Sequence, residues 1–466
     1  MSRLLYLGSG YCKSFLAFAA LLFFAVLGLA QTGPSLNSAP GLTPKPEESP
    51  APIVIPSGAA QSLWTSSKNR LLRIRIVPIG QSSQTSVGSG FFVSAEGLVV
   101  SNFHVISQVA LKPERYEIQY ELPDGEKGKL SLLAVDVVHD LSLLRLQSAA
   151  GVPAKPRDPF NFRPLAKPLA RGERIFSLGN PLDVGFAVTE GTYNGLVERS
   201  FVPNLFFSGA MNGGMSGGPA VDAAGQVIGI NVAKRLDGEQ VSFLVPAEHA
   251  MRLLAATTKP PKEIRPQTKP MYREVTQQLL AHQQELTKRF LAEPWKSQFH
   301  GQVNVPIPAD TFFRCWGSRE QSDNKALQYA RNNCRMETQL YTGDGSTGFF
   351  ATQYEAYEAD KLGTARFMER YSRSFQNETF SASVRPATKP LCEEGFVQSP
   401  NGPPLRTVVC MQAFKKFVGL YQLSVLVATL DQNTQGVLSR FNASGVSMDS
   451  AKLLTQHFLS GFTWAK

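Results

Sequence analysis

The chain has 466 residues, 43% hydrophobic and 18% charged, which fits a globular protein of two or three domains, each with its own core. The formal charge is +10, but Lys and Arg are scattered and no dense basic run is interleaved with aromatics, which argues against a nucleic-acid partner. The five cysteines, Cys12, Cys315, Cys334, Cys392 and Cys410, lack the tight spacing of a zinc site, so neither a metal nor a cofactor is expected.

Residues 1–30 have the layout of a secretory signal: Arg3 and Lys13, an apolar run from Phe15 to Leu29, and small residues before Gln31. Export follows from this reading; the alternative for the same run is an uncleaved anchor, for which it is slightly short. Seven prolines between Gln31 and Gln61 make 31–62 a Pro-rich, disordered spacer. Across 63–256 short apolar or alternating runs recur ("LLRIRIVPI", "GLVVSN", "LSLLRL", "RIFSLG", "QVSFLVP"), punctuated by Gly, Pro, Asp and Asn turns. That pattern is mainly β, a sandwich or barrel, closed by a helix at 246–256. "TTKPPKEIRPQTKP" reads as a linker over 257–271. Beyond it, Val275, Leu279, Leu286 and Phe290 have helical spacing, ended by Pro294. The remainder of 272–466 mixes hairpins, strands and a last helix, giving an α+β domain of unassigned role.

Cys12 lies in the signal segment, and an even set of four cysteines in an exported chain suggests disulfides, with three connectivities open. Cys392 and Cys410 flank a predicted hairpin, which favours Cys392–Cys410 and leaves Cys315–Cys334.

"NGGMSGGPAV" (212–221) holds Ser216 among glycines, a context that is equally at home in a plain turn. A serine becomes a nucleophile only beside a base that a third group orients. Three of the six histidines lie in the β region: His104 after "GLVVSN", His139 beside Asp140, and His249 on the closing helix, where it reads as a surface residue.

With these motifs in view, residues 65–250 resemble the trypsin-like serine proteases, and among them the bacterial Deg/Htr type. "GSGFFVSAEGLVVSNFHV" is similar to the segment that delivers the family's histidine, "ELPDGEKGKLSLLAVDVVHDLSLLRL" to the one that delivers its aspartate, and "NGGMSGGPAVDAAGQVIGINVAK" to the nucleophile loop. The resemblance implies a chymotrypsin-like double six-stranded β-barrel. It also implies a triad of His104, Asp140 and Ser216 and an oxyanion hole made by the amides of Gly214 and Ser216. Asp136 is a rival for the acid's place. The substrates implied are polypeptides and the location is the periplasm or the exterior of a bacterium. The pocket for the residue before the scissile bond (P1) would involve Ala210, Ile230, Asn231 and Val232.

Two features depart from the pattern. Met215 stands where Asp or Asn is usual, and no PDZ-like carboxylate-binding loop follows the protease segment. A catalytically silent fold, working as a binding or scaffold module through its C-terminal domain, is therefore the second reading. Ala210 offers no acid to attract a basic side chain, so a peptide-library profile should show small or medium apolar residues at P1; one dominated by Arg or Lys would refute that expectation.

Overall fold

The computed structural model describes residues 57–465, apart from 148–154, 235–239, 259–265, 321–325, 344, 377–386 and 431. The expected signal segment and nearly all of the expected Pro-rich spacer lie outside the described residues. The expected spacer does not run unbroken to residue 62, however. Helix α1 (Gly58–Ser67) begins within it, its first turn capped by the Ser57 hydroxyl, which accepts from the Ala60 amide at 3.3 Å. Leu63, 5% exposed, anchors this helix in the barrel core below.

The first six strands are β1 (Leu71–Pro78), β2 (Ser86–Phe92), β3 (Leu98–Ser101), β4 (Tyr116–Glu121), β5 (Lys127–Asp136) and β6 (Leu141–Leu146). They close into a barrel in the order β1-β2-β3-β6-β5-β4. In β1 the period of two is plain. Leu72, Ile74 and Ile76 turn inward, while Arg73 turns out to pair with Glu121 at 2.6 Å and Asp183 at 2.8 Å. Helix α2 (Phe103–Leu111) interrupts the strands between β3 and β4, within a stretch expected to hold only strands and turns.

A second barrel, in the order β10-β11-β12-β9-β8-β7, uses β7 (Arg174–Gly179), β8 (Ala187–Leu196), β9 (Leu205–Phe207), β10 (Pro219–Val221), β11 (Val227–Lys234) and β12 (Ser242–Pro246). Phe91, Val100, Leu141 and Leu143 of the first barrel meet Phe176, Leu178, Val221 and Ile230 of the second in one apolar seam. Helix α3 (Ala247–Thr258) closes the domain.

Helix α4 (Tyr272–Ala292) carries one apolar stripe with two partners. Its first half, Val275 and Leu279, joins the first barrel's core together with Met271, Leu340, Phe414, Phe417 and Leu420. Its second half, Leu286 and Phe290, packs on a seven-stranded sheet. The strands of that sheet lie in the spatial order 313–320, 328–336, 349–358, 435–446, 421–429, 404–413 and 391–398, all antiparallel. On its strand 435–446, Val437, Phe441 and Ala443 face α4 and α6 (Met448–Ser460). Leu438 turns to the other face, under Phe367 and Tyr371 of α5 (Thr364–Ser374). Both cysteine pairs join directly opposed residues of neighbouring strands, Cys315–Cys334 and Cys392–Cys410.

The linker expected at 257–271 is in part secured to the barrel. The Gln267 amide donates to the Leu132 carbonyl at 2.8 Å, and the Met271 amide to Ala110 at 2.9 Å. The first barrel and the C-terminal domain thus share a core and should unfold together. Leu279→Ala, which empties a site 2% exposed, should cost about 2–5 kcal/mol. Urea melts should keep a single transition at a lower midpoint, and two separated transitions would contradict the shared core.

Candidate active site

Asp140 takes a left-handed backbone (φ 54°), which aims both its carbonyl and its carboxylate at the start of α2. Its carbonyl accepts from the Phe103 amide at 3.1 Å and from the Asn102 side chain at 2.8 Å. Its Oδ1 accepts from the His104 amide at 2.8 Å, while Oδ2 meets His104 Nδ1 at 2.6 Å. One residue therefore caps the helix and fixes the imidazole ring carried on its first turn. Burial, the largest influence, pulls the His104 pKa down. The charge and hydrogen bond of Asp140 together outweigh it and leave the imidazole above its ordinary value of 6.5.

Asp136 is engaged elsewhere. Its carboxylate accepts from the His139 amide at 3.0 Å and meets His139 Nδ1 at 2.7 Å. The His139 ring stacks on His249 with centroids 3.6 Å apart. His249 is not the surface residue its helix position suggested: it is buried, beside Arg252. Burial first, then the nearby His139 and Arg252, push it down to about 4.

Ser216 lies on the turn that follows β9, directly against the start of α2. A Cβ added to Gly217 would come within 2.3 Å of Ser101 Oγ and 3.0 Å of the Asn102 amide. The Ser216 carbonyl accepts from the Ser89 amide at 2.8 Å, and Asn231 Nδ2 donates to the Met215 carbonyl at 3.2 Å. The Met215 amide returns to the Asn212 carbonyl at 3.1 Å, closing a tight turn with Gly214 at φ 92°. Only glycine fits there, since a Cβ would fall 2.3 Å from the Asn180 carbonyl oxygen. The Gly213 carbonyl faces the Leu182 amide at 2.7 Å, and peptide planarity therefore turns the Gly214 N–H to the opposite side. Among the described residues, neither that amide nor the Ser216 amide has an acceptor. The Ser216 hydroxyl makes one hydrogen bond, to the Val232 carbonyl at 3.4 Å.

Met215 is 1% exposed and packs with Ile175, Leu205, Phe207, Ala220 and Leu244 in the second barrel. The departure noted in the sequence is a hydrophobic anchor for the turn.

The four residues expected to border the P1 pocket divide. Ile230 is fully buried in the inter-barrel seam, and Asn231 is fully buried with Ser177 Oγ and the Leu178 carbonyl as partners, so neither lines an open pocket. Val232 is half-buried where the β11–β12 register shifts, and it borders a cleft of about 500 Å³ shared with His104 and Asp140. Ala210 is exposed.

Two closed antiparallel six-stranded barrels, with a His–Asp pair on the first and a Gly-flanked serine turn on the second, define a chymotrypsin-like protease fold. The family comparison agrees. Residues 88–230 match the trypsin-like peptidase domain. The mitochondrial serine protease HTRA2 of Bos taurus is 29% identical over 183 residues, 38% of this chain and 37% of that protein. The probable periplasmic serine endoprotease DegP-like of Marinomonas sp. (strain MWYL1) is 30% identical over 184 residues, 38% and 36% of the two chains. The solved serine endoprotease from Yersinia pestis aligns with 43% of this chain and 67% of its own at 21% identity, with a TM-score of 0.36. Residues 88–230 thus form a trypsin-like peptidase domain, similar in sequence to HTRA and DegP-like serine proteases. The chain spans little more than a third of the length of the curated relatives it matches.

Gln278 carried no signal in the sequence. From α4, its side chain accepts from the Val137 amide at 2.7 Å and donates to the Val135 carbonyl at 2.9 Å, sealing β5 just ahead of Asp140. In an NMR titration the His104 ring should protonate with a midpoint above 6.5. In Asp140→Asn the charge that favours the imidazolium is gone while burial remains, and the midpoint should fall; an unmoved midpoint would contradict the assignment.

Proposed function

We propose that this chain is an exported serine endopeptidase that cleaves polypeptides of the bacterial envelope, in quality control or processing, through His104, Asp140 and Ser216. The observation that carries the reading is the 2.6 Å contact between His104 Nδ1 and Asp140 beside a serine turn whose two amides have no acceptor. In this mechanism the Ser216 hydroxyl turns from Val232 toward His104 Nε2, gives up its proton and attacks the peptide carbonyl. The amides of Gly214 and Ser216 receive the developing oxyanion, a contribution worth about 10²–10³ in rate per donor. Asp140 holds the tautomer and stabilises the imidazolium, and its loss in such triads costs about 10⁴. His104 then returns the proton to the leaving amine, and water completes hydrolysis of the acyl-enzyme. The uncharged Ala210 supports a small or medium apolar side chain at P1. Envelope location is supported by the apolar segment after Arg3 and Lys13 and by the printed name of the periplasmic relative. Among the described residues, no helix is long and apolar enough to cross a membrane.

The Ser216–Val232 hydrogen bond favours one second reading, a silent or latent protease fold whose C-terminal domain does the binding. A fluorophosphonate probe decides between the two. It should label the wild type and not Ser216→Ala, and casein should be cut by the wild type alone. Absence of labelling in both proteins would favour the silent fold.

A further inference from the structure

The cleft beside His104 has one wall that belongs to neither barrel. Thr338, Gln339, Leu340 and Tyr341 of the C-terminal domain line it together with Val138, Asp140 and Val232. The Tyr341 ring stands edge-on to the His104 ring, centroids 6.2 Å apart, and is 37% exposed toward the cleft.

This wall is held at several points. Leu340, 3% exposed, is inserted into the first barrel's core, and the alternation of an extended segment turns the next residue, Tyr341, to the opposite side. Upstream, the Thr338 hydroxyl meets the Ser200 hydroxyl at 2.6 Å, and Ser200 also donates to the Val202 carbonyl at 2.6 Å, so the loop bearing the cleft residues Val202 and Asn204 is tied to the same segment. Downstream, residues 340–341 pair with 346–347, and the Thr347 hydroxyl meets Ser444 of the seven-stranded sheet at 3.2 Å. The Gly348 amide donates to the Ser444 carbonyl at 2.9 Å. A polypeptide held for attack by Ser216 must pass His104, and its side chains next to the scissile bond then enter a space walled by Val138, Val202, Val232 and the Tyr341 ring.

We propose that Tyr341 is a specificity-determining residue that selects an apolar side chain at the substrate positions just before P1. Through it the C-terminal domain completes the substrate cleft. The proposal rests on the endopeptidase reading above.

The test uses the full chain and a peptide library varied at the two positions preceding P1. The wild type should prefer apolar residues there. Tyr341→Ala should lower the apolar-to-charged ratio of kcat/KM by about 10-fold, the scale on which single pocket contacts discriminate. Tyr341→Arg should turn the preference toward Asp and Glu, a redirection that a collapsed variant cannot imitate. Unchanged ratios in chains that still take up fluorophosphonate would overturn this inference alone. An equal rise in rate for every peptide would also overturn it, making the segment a shutter. A wild type that takes up no probe would overturn the endopeptidase reading, and this inference with it.

Discussion

The burial of one apolar stripe along α4 governs how the rest of this molecule is arranged. Val275 and Leu279 leave water against the first barrel, and Leu286 and Phe290 against the seven-stranded sheet. Satisfying both at once fixes the sheet beside the barrel that carries His104. Leu340, Phe414, Phe417 and Leu420 then extend the first barrel's core with side chains from the C-terminal part. The same helix reaches the acid's strand through Gln278, so the segment that ends in Asp140 is braced from outside the protease fold.

Within the protease domain, Asp140 plays two structural parts with one backbone conformation. Its left-handed turn presents a carbonyl to the start of α2 and a carboxylate to both the amide and the ring of His104. The helix start and the imidazole are therefore set together, and neither can shift without unmaking hydrogen bonds in a half-buried place. The neighbouring Asp136–His139 pair repeats the motif four residues earlier, turned toward His249. The chain direction at Asp140, rather than proximity in sequence, decides which histidine each acid holds.

Much of this was legible in the sequence, for reasons tied to particular residues. Alternation in "LLRIRIVP" marked β1, and Val275, Leu279, Leu286 and Phe290 marked α4, because period alone dictates these elements. Cys392 and Cys410 were pairable because they flank a hairpin. What escaped was long-range. The two partners of the α4 stripe, the burial of His249 and the place of Tyr341 beside His104 depend on contacts that no local pattern encodes. Sequence offset could not tell Ile230 and Asn231, both fully buried, from Val232, which borders the cleft where the register shifts.

Met215 carries a consequence of a different kind. A nucleophile turn secured by an ion pair answers to acidity, ionic strength and the arrival of a new charged terminus. A thioether sealed among Ile175, Leu205, Phe207 and Leu244 answers to none of these. Its hold on the turn is the cohesion of the second barrel itself, which varies with temperature and with anything that loosens packing. The shape of the loop around Ser216 is thus a property of the barrel's interior, acquired when that barrel folds.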